Sequence, residues 1–158
     1  MNLYLLRHGA AEMRWDCRDS ERALTELGYR QAETAGHWLR REGVRFTHTV
    51  TSGYTRAVQT AQAVLAVCGG AGVTELTFRE FSPGGDPDVM IPVLAALPDD
   101  ATVLAVGHMP SIHLLAAALS PDFPGDHSFG NCTLAFFTGK PDNLSFQSHR
   151  YNEEMTHS

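Results

Sequence analysis

Two arginines and two histidines stand at matching places in this chain, and their types suit one kind of ligand. Arg7 and His8 follow the apolar run Leu3-Tyr4-Leu5-Leu6, Arg56 follows Thr51-Ser52-Gly53-Tyr54-Thr55, and His108 follows Val103-Leu104-Ala105-Val106-Gly107. A guanidinium is a planar, permanently charged fork that meets a phosphoryl group through paired hydrogen bonds. An imidazole offers either a neutral nitrogen that can attack or a protonated one that can donate. Gathered around one anion, these side chains would form a phosphoryl pocket with a histidine nucleophile, splitting one displacement into two through a covalent intermediate. The nucleophile has to be neutral, and nearby guanidinium groups favour that form by disfavouring the imidazolium.

The elements that must position these residues are legible in outline. Leu3–Leu6 and Thr102–Val106 read as buried strands of a parallel sheet, where ligands sit beyond the carboxyl ends. Val44–Ser52 and Val73–Phe78 read as two further strands, and Asn131–Thr138 with Leu144–Ser148 as a hairpin around Gly139–Asn143. Helices are expected from an N-cap at Thr25 to about Glu42, from the Arg56 turn to about Val67, over Asp88–Leu97 with Pro92 in the first turn, and over Ile112–Leu119 behind Pro110. The free N–H groups at the helix start carrying Arg56 also favour an anion. Ala11–Ser20 reads as a polar loop over the first strand end, and Asn152–Ser158 as a frayed tail. Alternation of this kind predicts an α/β protein: a three-layer α/β/α sandwich with a mainly parallel central sheet, formed by one domain over 1–158.

Composition bounds the partners. With 43% hydrophobic and 19% charged residues the 158-residue chain reads as an ordinary globular protein of one core. A net charge of −6 argues against a nucleic-acid partner and leaves an anion site to a few local cations. No apolar run is long enough to span a bilayer, and the first residues lack the basic region and cleavage site of a signal peptide, so no membrane association and a cytoplasmic location are expected. Cys17, Cys68 and Cys132 are widely spaced and odd in number, which predicts free thiols and neither a disulfide framework nor a zinc ribbon.

Leu5-Leu6-Arg7-His8-Gly9, Thr51–Ala61 and Val106-Gly107-His108-Met109-Pro110, in this order and spacing, resemble the histidine phosphatase (phosphoglycerate-mutase-like) superfamily. Arg22-Ala23-Leu24-Thr25-Glu26-Leu27-Gly28 is similar to the start of that family's first helix. The short chain, the small segment between Ala61 and Thr102, and Glu80–Asp86 resemble in particular the small SixA-type phosphohistidine phosphatases. The resemblance implies His8 as the nucleophile that becomes phosphorylated, with Arg7, Arg56 and His108 as phosphate-binding residues. It implies no organic cofactor and no metal. Glu80 falls where many members carry the acid that protonates the leaving group, with Asp86 as a second candidate or else a helix N-cap. The chain departs from the pattern at Gly53, where proline is common, and at Glu12-Met13-Arg14, where members often have an asparagine; Arg14 is a candidate substitute.

The expected partner is a phosphorylated substrate, with a phosphohistidine-bearing protein first and small phosphomonoesters as the alternative. A catalytically inactive phosphate-binding regulator is a third reading, and a mutase a less favoured one, since it calls for a closed site. The oligomeric state stays open. His37 and His48 read as surface residues and His113 as structural, Ser52 is a phosphate or network contact, and His127 and His149 carry no assigned role.

Overall fold

Six strands form the sheet of the computed structural model, which describes residues 1–156: β1 (Asn2–Arg7), β2 (His48–Thr51), β3 (Thr74–Thr77), β4 (Thr102–Gly107), β5 (Leu134–Lys140) and β6 (Asn143–Arg150). Their order is β3-β2-β4-β1-β5-β6. β2, β3, β4 and β1 run parallel, and β5 and β6 complete one side as an antiparallel hairpin. Four α-helices cover the faces: α1 (Glu26–Arg41), α2 (Thr55–Cys68), α3 (Pro87–Ala95) and α4 (Ser111–Leu119). The expected sandwich with a mainly parallel sheet is the fold observed.

Side-chain alternation along the central strands builds the two interior layers. Leu3, Leu5, Val103 and Ala105 point to one face, where they meet Met90 and Leu94 of α3 and Ile112 and Leu115 of α4. Tyr4, Leu6, Leu104 and Val106 point to the other, against Ala32, Ala35 and Leu39 of α1 and Ala57 and Val64 of α2. Both sides of β1 and β4 are therefore buried, which explains their unbroken apolar runs. β1 and β4 are neighbours, with Arg7 in register with Gly107, yet the helices that follow them lie on opposite faces. Their carboxyl ends thus open a crevice where the chain departs both ways, the position at which such sheets bind ligands.

The ends of several elements differ from the sequence expectation. β2 starts at His48 rather than Val44, β3 is trimmed to Thr74–Thr77, and β5 starts at Leu134, because Asn131–Thr133 form a turn with Cys132 at φ 49°. Pro92 lies inside α3, while Pro87 takes the first turn. The main-chain hydrogen bond that Pro92 forgoes belongs to Asp88, an exposed residue whose carbonyl water can reach. The tail is ordered over Asn152–Met155, a short 3-10 helix. Met155 is fully buried with Leu39, its carbonyl accepts from Arg41 Nη2 at 2.8 Å, and Asn152 Nδ2 donates to the Gln31 carbonyl at 3.0 Å. Residues 157–158 of the expected tail lie outside the described residues.

The loop after β1 is stitched at its base. Thr25 N–H donates to the Ala10 carbonyl at 2.9 Å, Glu12 N–H to the Ala23 carbonyl at 2.8 Å, and Ala10 N–H to Gln31 Oε1 at 2.9 Å. Thr25 also caps α1 by accepting Gly28 N–H at 3.1 Å, as its place in the sequence predicts. Gly9 and Gly28 meet backbone to backbone here: a Cβ on Gly9 would stand 2.6 Å from the Gly28 carbonyl oxygen, and one on Gly28 would stand 2.1 Å from that of Ala10.

Candidate active site

Arg7 and His8 leave the end of β1, and the neighbouring strands fix their backbone. His8 N–H donates to the Gly107 carbonyl at 3.2 Å, and its own carbonyl accepts from Asn131 Nδ2 at 3.1 Å. The His8 Nδ1 lies 2.7 Å from the Gly9 carbonyl oxygen. A carbonyl can only accept, so Nδ1 carries the proton and the neutral ring presents its lone pair at Nε2. Burial, then the charges of Arg56, Arg7 and Arg22, lower the His8 pKa from 6.5 to about 4, with the Gly9 hydrogen bond opposing in part. Arg7 Nη1 donates to the Phe129 carbonyl at 3.1 Å. Its own pKa is lowered by burial and by the charge of Arg56.

Arg56 comes from the first turn of α2 and is buried at 4% exposure. Its Nη1 donates to the Asp19 carbonyl at 2.8 Å and its Nη2 to Asp19 Oδ2 at 3.2 Å, and the guanidinium stands 5.1 Å from the centre of the Tyr54 ring. Thr60, one turn further along α2, ties this helix to the nucleophile. Its hydroxyl donates to the Arg56 carbonyl at 2.7 Å and accepts Gly9 N–H at 3.1 Å.

His108 follows β4, with its carbonyl accepting from Ile112 N–H at 2.8 Å and from Ser111 Oγ at 2.9 Å. Its ring centre is 5.2 Å from that of His8. Ser52 Oγ accepts Tyr54 N–H at 3.2 Å and lies 2.8 Å from His108 Nε2, so its hydroxyl proton is free for that nitrogen. A neutral ring that accepts this proton at Nε2 carries its own on Nδ1. Burial, then His8 and Arg56, lower the His108 pKa to about 3, while Asp19 opposes. His108 Nδ1, Arg7 Nε and Arg56 Nε are all buried without a hydrogen-bond partner among the described residues. His113 Nδ1 is buried and unpaired in the same way, so what sets this cluster apart is the two guanidinium groups whose charge acts on His8 and His108, a set of groups that suits an anion.

The structure thus brings Arg7, His8, Arg56 and His108 together. Glu80 lies half-buried in a short 3-10 helix after β3, and its side chain has no hydrogen bond or ion pair among the described residues. Asp86 accepts Asp88 N–H at 2.9 Å as the N-cap of α3, the alternative the sequence offered for it. Arg14 is paired with Asp16 at 2.9 Å in the exposed loop and lines a cavity with Asp19 and Arg22. His113 packs edge-on to Phe123 at 5.8 Å, a structural placement. Among the described residues no group of three or more His, Cys, Asp or Glu side chains stands ready to hold a metal, Cys17, Cys68 and Cys132 are free, and no helix is long and apolar enough to cross a membrane.

Asp19 and Thr60 are contacts that sequence reasoning missed. Asp19 was hidden in a charged loop, though the acid and base of Asp19-Ser20-Glu21-Arg22, spaced to pair across one turn, were a usable signal. Thr60 stands four residues after Arg56 on the buried side of α2.

Comparison with known proteins agrees with this arrangement. Phosphohistidine phosphatase SixA of Escherichia coli (strain K12) is 30% identical over 123 residues, 77% of this chain and 75% of that protein. A solved structure of the protein histidine phosphatase SixA complexed with tungstate superposes with a TM-score of 0.87 at 27% identity, covering 96% of this chain and 97% of the other. A probable phosphoglycerate mutase GpmB of Yersinia pestis (strain Pestoides F) is 35% identical over 89 residues, which are 53% of this chain but only 40% of that one. Residues 3–86, more than half of the chain, match the histidine phosphatase superfamily (branch 1), and it is to this family of enzymes that the protein belongs.

Proposed function

We propose that the protein, acting as one domain over 1–158, hydrolyses phosphorylated substrates through a phosphohistidine at His8, and that its substrate is a protein phosphohistidine. The observation that carries this reading is the free Nε2 of a neutral His8, with the His108 ring centre 5.2 Å from its own and the charges of Arg56 and Arg7 acting on it. The His8 Nε2 lone pair attacks phosphorus while the bond to the leaving group breaks. Arg7, Arg56 and His108 Nδ1–H hold the phosphoryl oxygens and meet the charge that develops on them. The Gly9 carbonyl stabilises the positive ring of the phosphorylated intermediate through Nδ1–H. Water then attacks phosphorus, the bond to Nε2 breaks, and inorganic phosphate departs with His8 neutral again. These residues supply the positioning and charge that phosphoryl transfer needs, with no cofactor in the scheme.

The choice of substrate draws on the likeness to SixA, whose name gives phosphohistidine as its substrate. A phosphohistidine protonated on its second ring nitrogen releases neutral imidazole when the N–P bond breaks, so the substrate brings the proton that an alkoxide would take from an acid, which fits a Glu80 that no contact fixes at the cluster. Glu80 is proposed as the general acid for substrates that leave as an alkoxide. The second reading, a phosphatase of small phosphomonoesters, is favoured by the GpmB likeness. A cytoplasmic location is proposed on the sequence reading alone.

The test is a panel comparing kcat/KM for phosphohistidine proteins and peptides with that for sugar and aryl phosphates. A preference for phosphohistidine is expected, with Glu80→Gln costing more on the alkyl esters than on phosphohistidine. A preference for a sugar phosphate would move the assignment to the second reading.

A further inference from the structure

We infer that Asp19 is a positioning residue for this reaction: from the loop over the site it fixes the guanidinium of Arg56, and Arg22 fixes Asp19. The inference rests on the phosphate-binding role proposed for Arg56.

All side-chain hydrogen bonds of Arg56 among the described residues go to Asp19, one to its carbonyl at 2.8 Å and one to Oδ2 at 3.2 Å. Arg56 is otherwise bounded by the Tyr54 ring, which sets no direction for individual nitrogens. With its outer nitrogens anchored on Asp19, Arg56 keeps a defined orientation and Nε remains the buried, unpaired donor. Asp19 is itself held from the far side. Arg22 Nε and Nη2 both reach Asp19 Oδ1 at 2.8 Å, and Arg22 Nη1 donates to the Glu12 carbonyl at 2.8 Å, which returns the chain of contacts to the stitched base of the loop. Burial raises the cost of charge on Asp19, but the hydrogen bonds from Arg22 and Arg56 outweigh it and keep the carboxyl ionised below the usual range. Asp19 is thereby a poor proton donor, and a role as general acid does not fit.

Two effects of this carboxylate oppose each other. As an anion near an anion site it repels phosphate; as an anchor it orders Arg56. The Asp19 side chain is 56% exposed and the Arg56 side chain 5%. Water and Arg22 screen the repulsion, whereas losing the carboxylate leaves Arg56 with the Asp19 main-chain carbonyl alone and frees that carbonyl from the Arg22 pairing that positions it. Anchoring should win, and the two effects predict opposite signs.

The experiment is calorimetric titration of the full chain with inorganic phosphate, with kcat/KM measured on phosphoramidate. Asp19→Ala should weaken phosphate binding and lower kcat/KM, each by about tenfold, the scale of one charge-assisted hydrogen bond. Asp19→Asn keeps an acceptor for Arg56 and should recover part of that loss, and Arg22→Ala should act in the same direction as Asp19→Ala but more weakly. In an Arg56→Ala background Asp19→Ala should have no further effect, since it acts through Arg56; a general loosening of the loop would be additive instead. Tighter phosphate binding in Asp19→Ala, or additivity with Arg56→Ala, overturns the inference while leaving the proposed function standing. If the wild type binds no phosphate and Arg56→Ala changes neither measurement, the proposed function fails and this inference fails with it.

Discussion

The molecule contains two close pairs of histidines, and they differ in what surrounds them. His8 and His108 stand 5.2 Å apart between ring centres, His127 and His149 4.4 Å. Each pair has a ring nitrogen against a main-chain carbonyl, His8 Nδ1 on Gly9 at 2.7 Å and His149 Nε2 on Ser128 at 2.8 Å. In both His8 and His149 burial is the first cause of a lowered pKa. Around His8 and His108 lie Arg7 and the buried Arg56; around His149 lie Phe123, Phe129 and Tyr151, with the exposed Arg150 bonded through Nη1 to the His149 carbonyl. The aromatic pair is a packing unit, which supports the first from behind: Ser128 and Phe129 are consecutive, and the Phe129 carbonyl takes Arg7. The two pairs differ in having Arg7 and Arg56, the latter buried, acting on the first and a single exposed Arg150 beside the second.

That contrast is open to direct attack. The largest expected effect is His8→Ala, which should abolish turnover and radiolabelling of the protein by phosphorylated substrate while leaving the melting temperature near that of the wild type. Turnover surviving at wild-type level would refute covalent catalysis. Next, Arg7→Ala or Arg56→Ala should cost about a hundredfold in kcat/KM, the scale of losing one preorganised donor to the transition state.

The pH dependence sharpens the comparison further. Because His8 titrates at about 4 rather than 6.5, the acid limb of kcat/KM, corrected for ionisation of the substrate, should fall near pH 4. A limb at 6.5 would show that the arginine-lined pocket does not hold His8 neutral. The same shift makes folding pH-dependent with a definite sign: between pH 6.5 and 4 the unfolded chain binds a proton that folded His8 refuses. Stability in denaturant titrations should therefore decline as pH drops through that window, with His108, at about 3, extending the decline below it. The smallest effect is expected from His149→Gln, which keeps a donor for Ser128 and should change kcat/KM by less than about threefold, an ordinary outcome for a substitution that preserves its hydrogen bond. A loss as large as that of Arg56→Ala would place the second pair in the chemistry.

Legibility in the sequence followed the source of each signal. β1 and β4 are buried on both faces, so their composition alone announces them, and Thr25 caps α1 through a contact only three residues long. The tail shows the opposite case. Asn152-Glu153-Glu154-Met155 has no period, and its order comes from Arg41, Gln31 and the core around Leu39, residues more than a hundred positions away. The site divides in the same way. Arg7, His8, Arg56 and His108 stand at strand and helix ends that the pattern locates, whereas Asp19 contributes through a loop whose path is set by pairing with Arg22 and Arg56. Glu80 was placed by resemblance alone, and nothing local in the chain fixes its side chain.

The contact between Gly9 and Gly28 carries a consequence for redesign. Neither position can accept even a methyl group without driving the start of α1 off the strand that bears the nucleophile. The intervening Met13 and Trp15, by contrast, are 77% and 90% exposed and line a cavity with Asp19 and Arg22. A library aimed at new substrates can therefore vary Met13 and Trp15 to reshape the cavity they share with Asp19 and Arg22, provided both glycines and the Asp19–Arg22 pair are held constant.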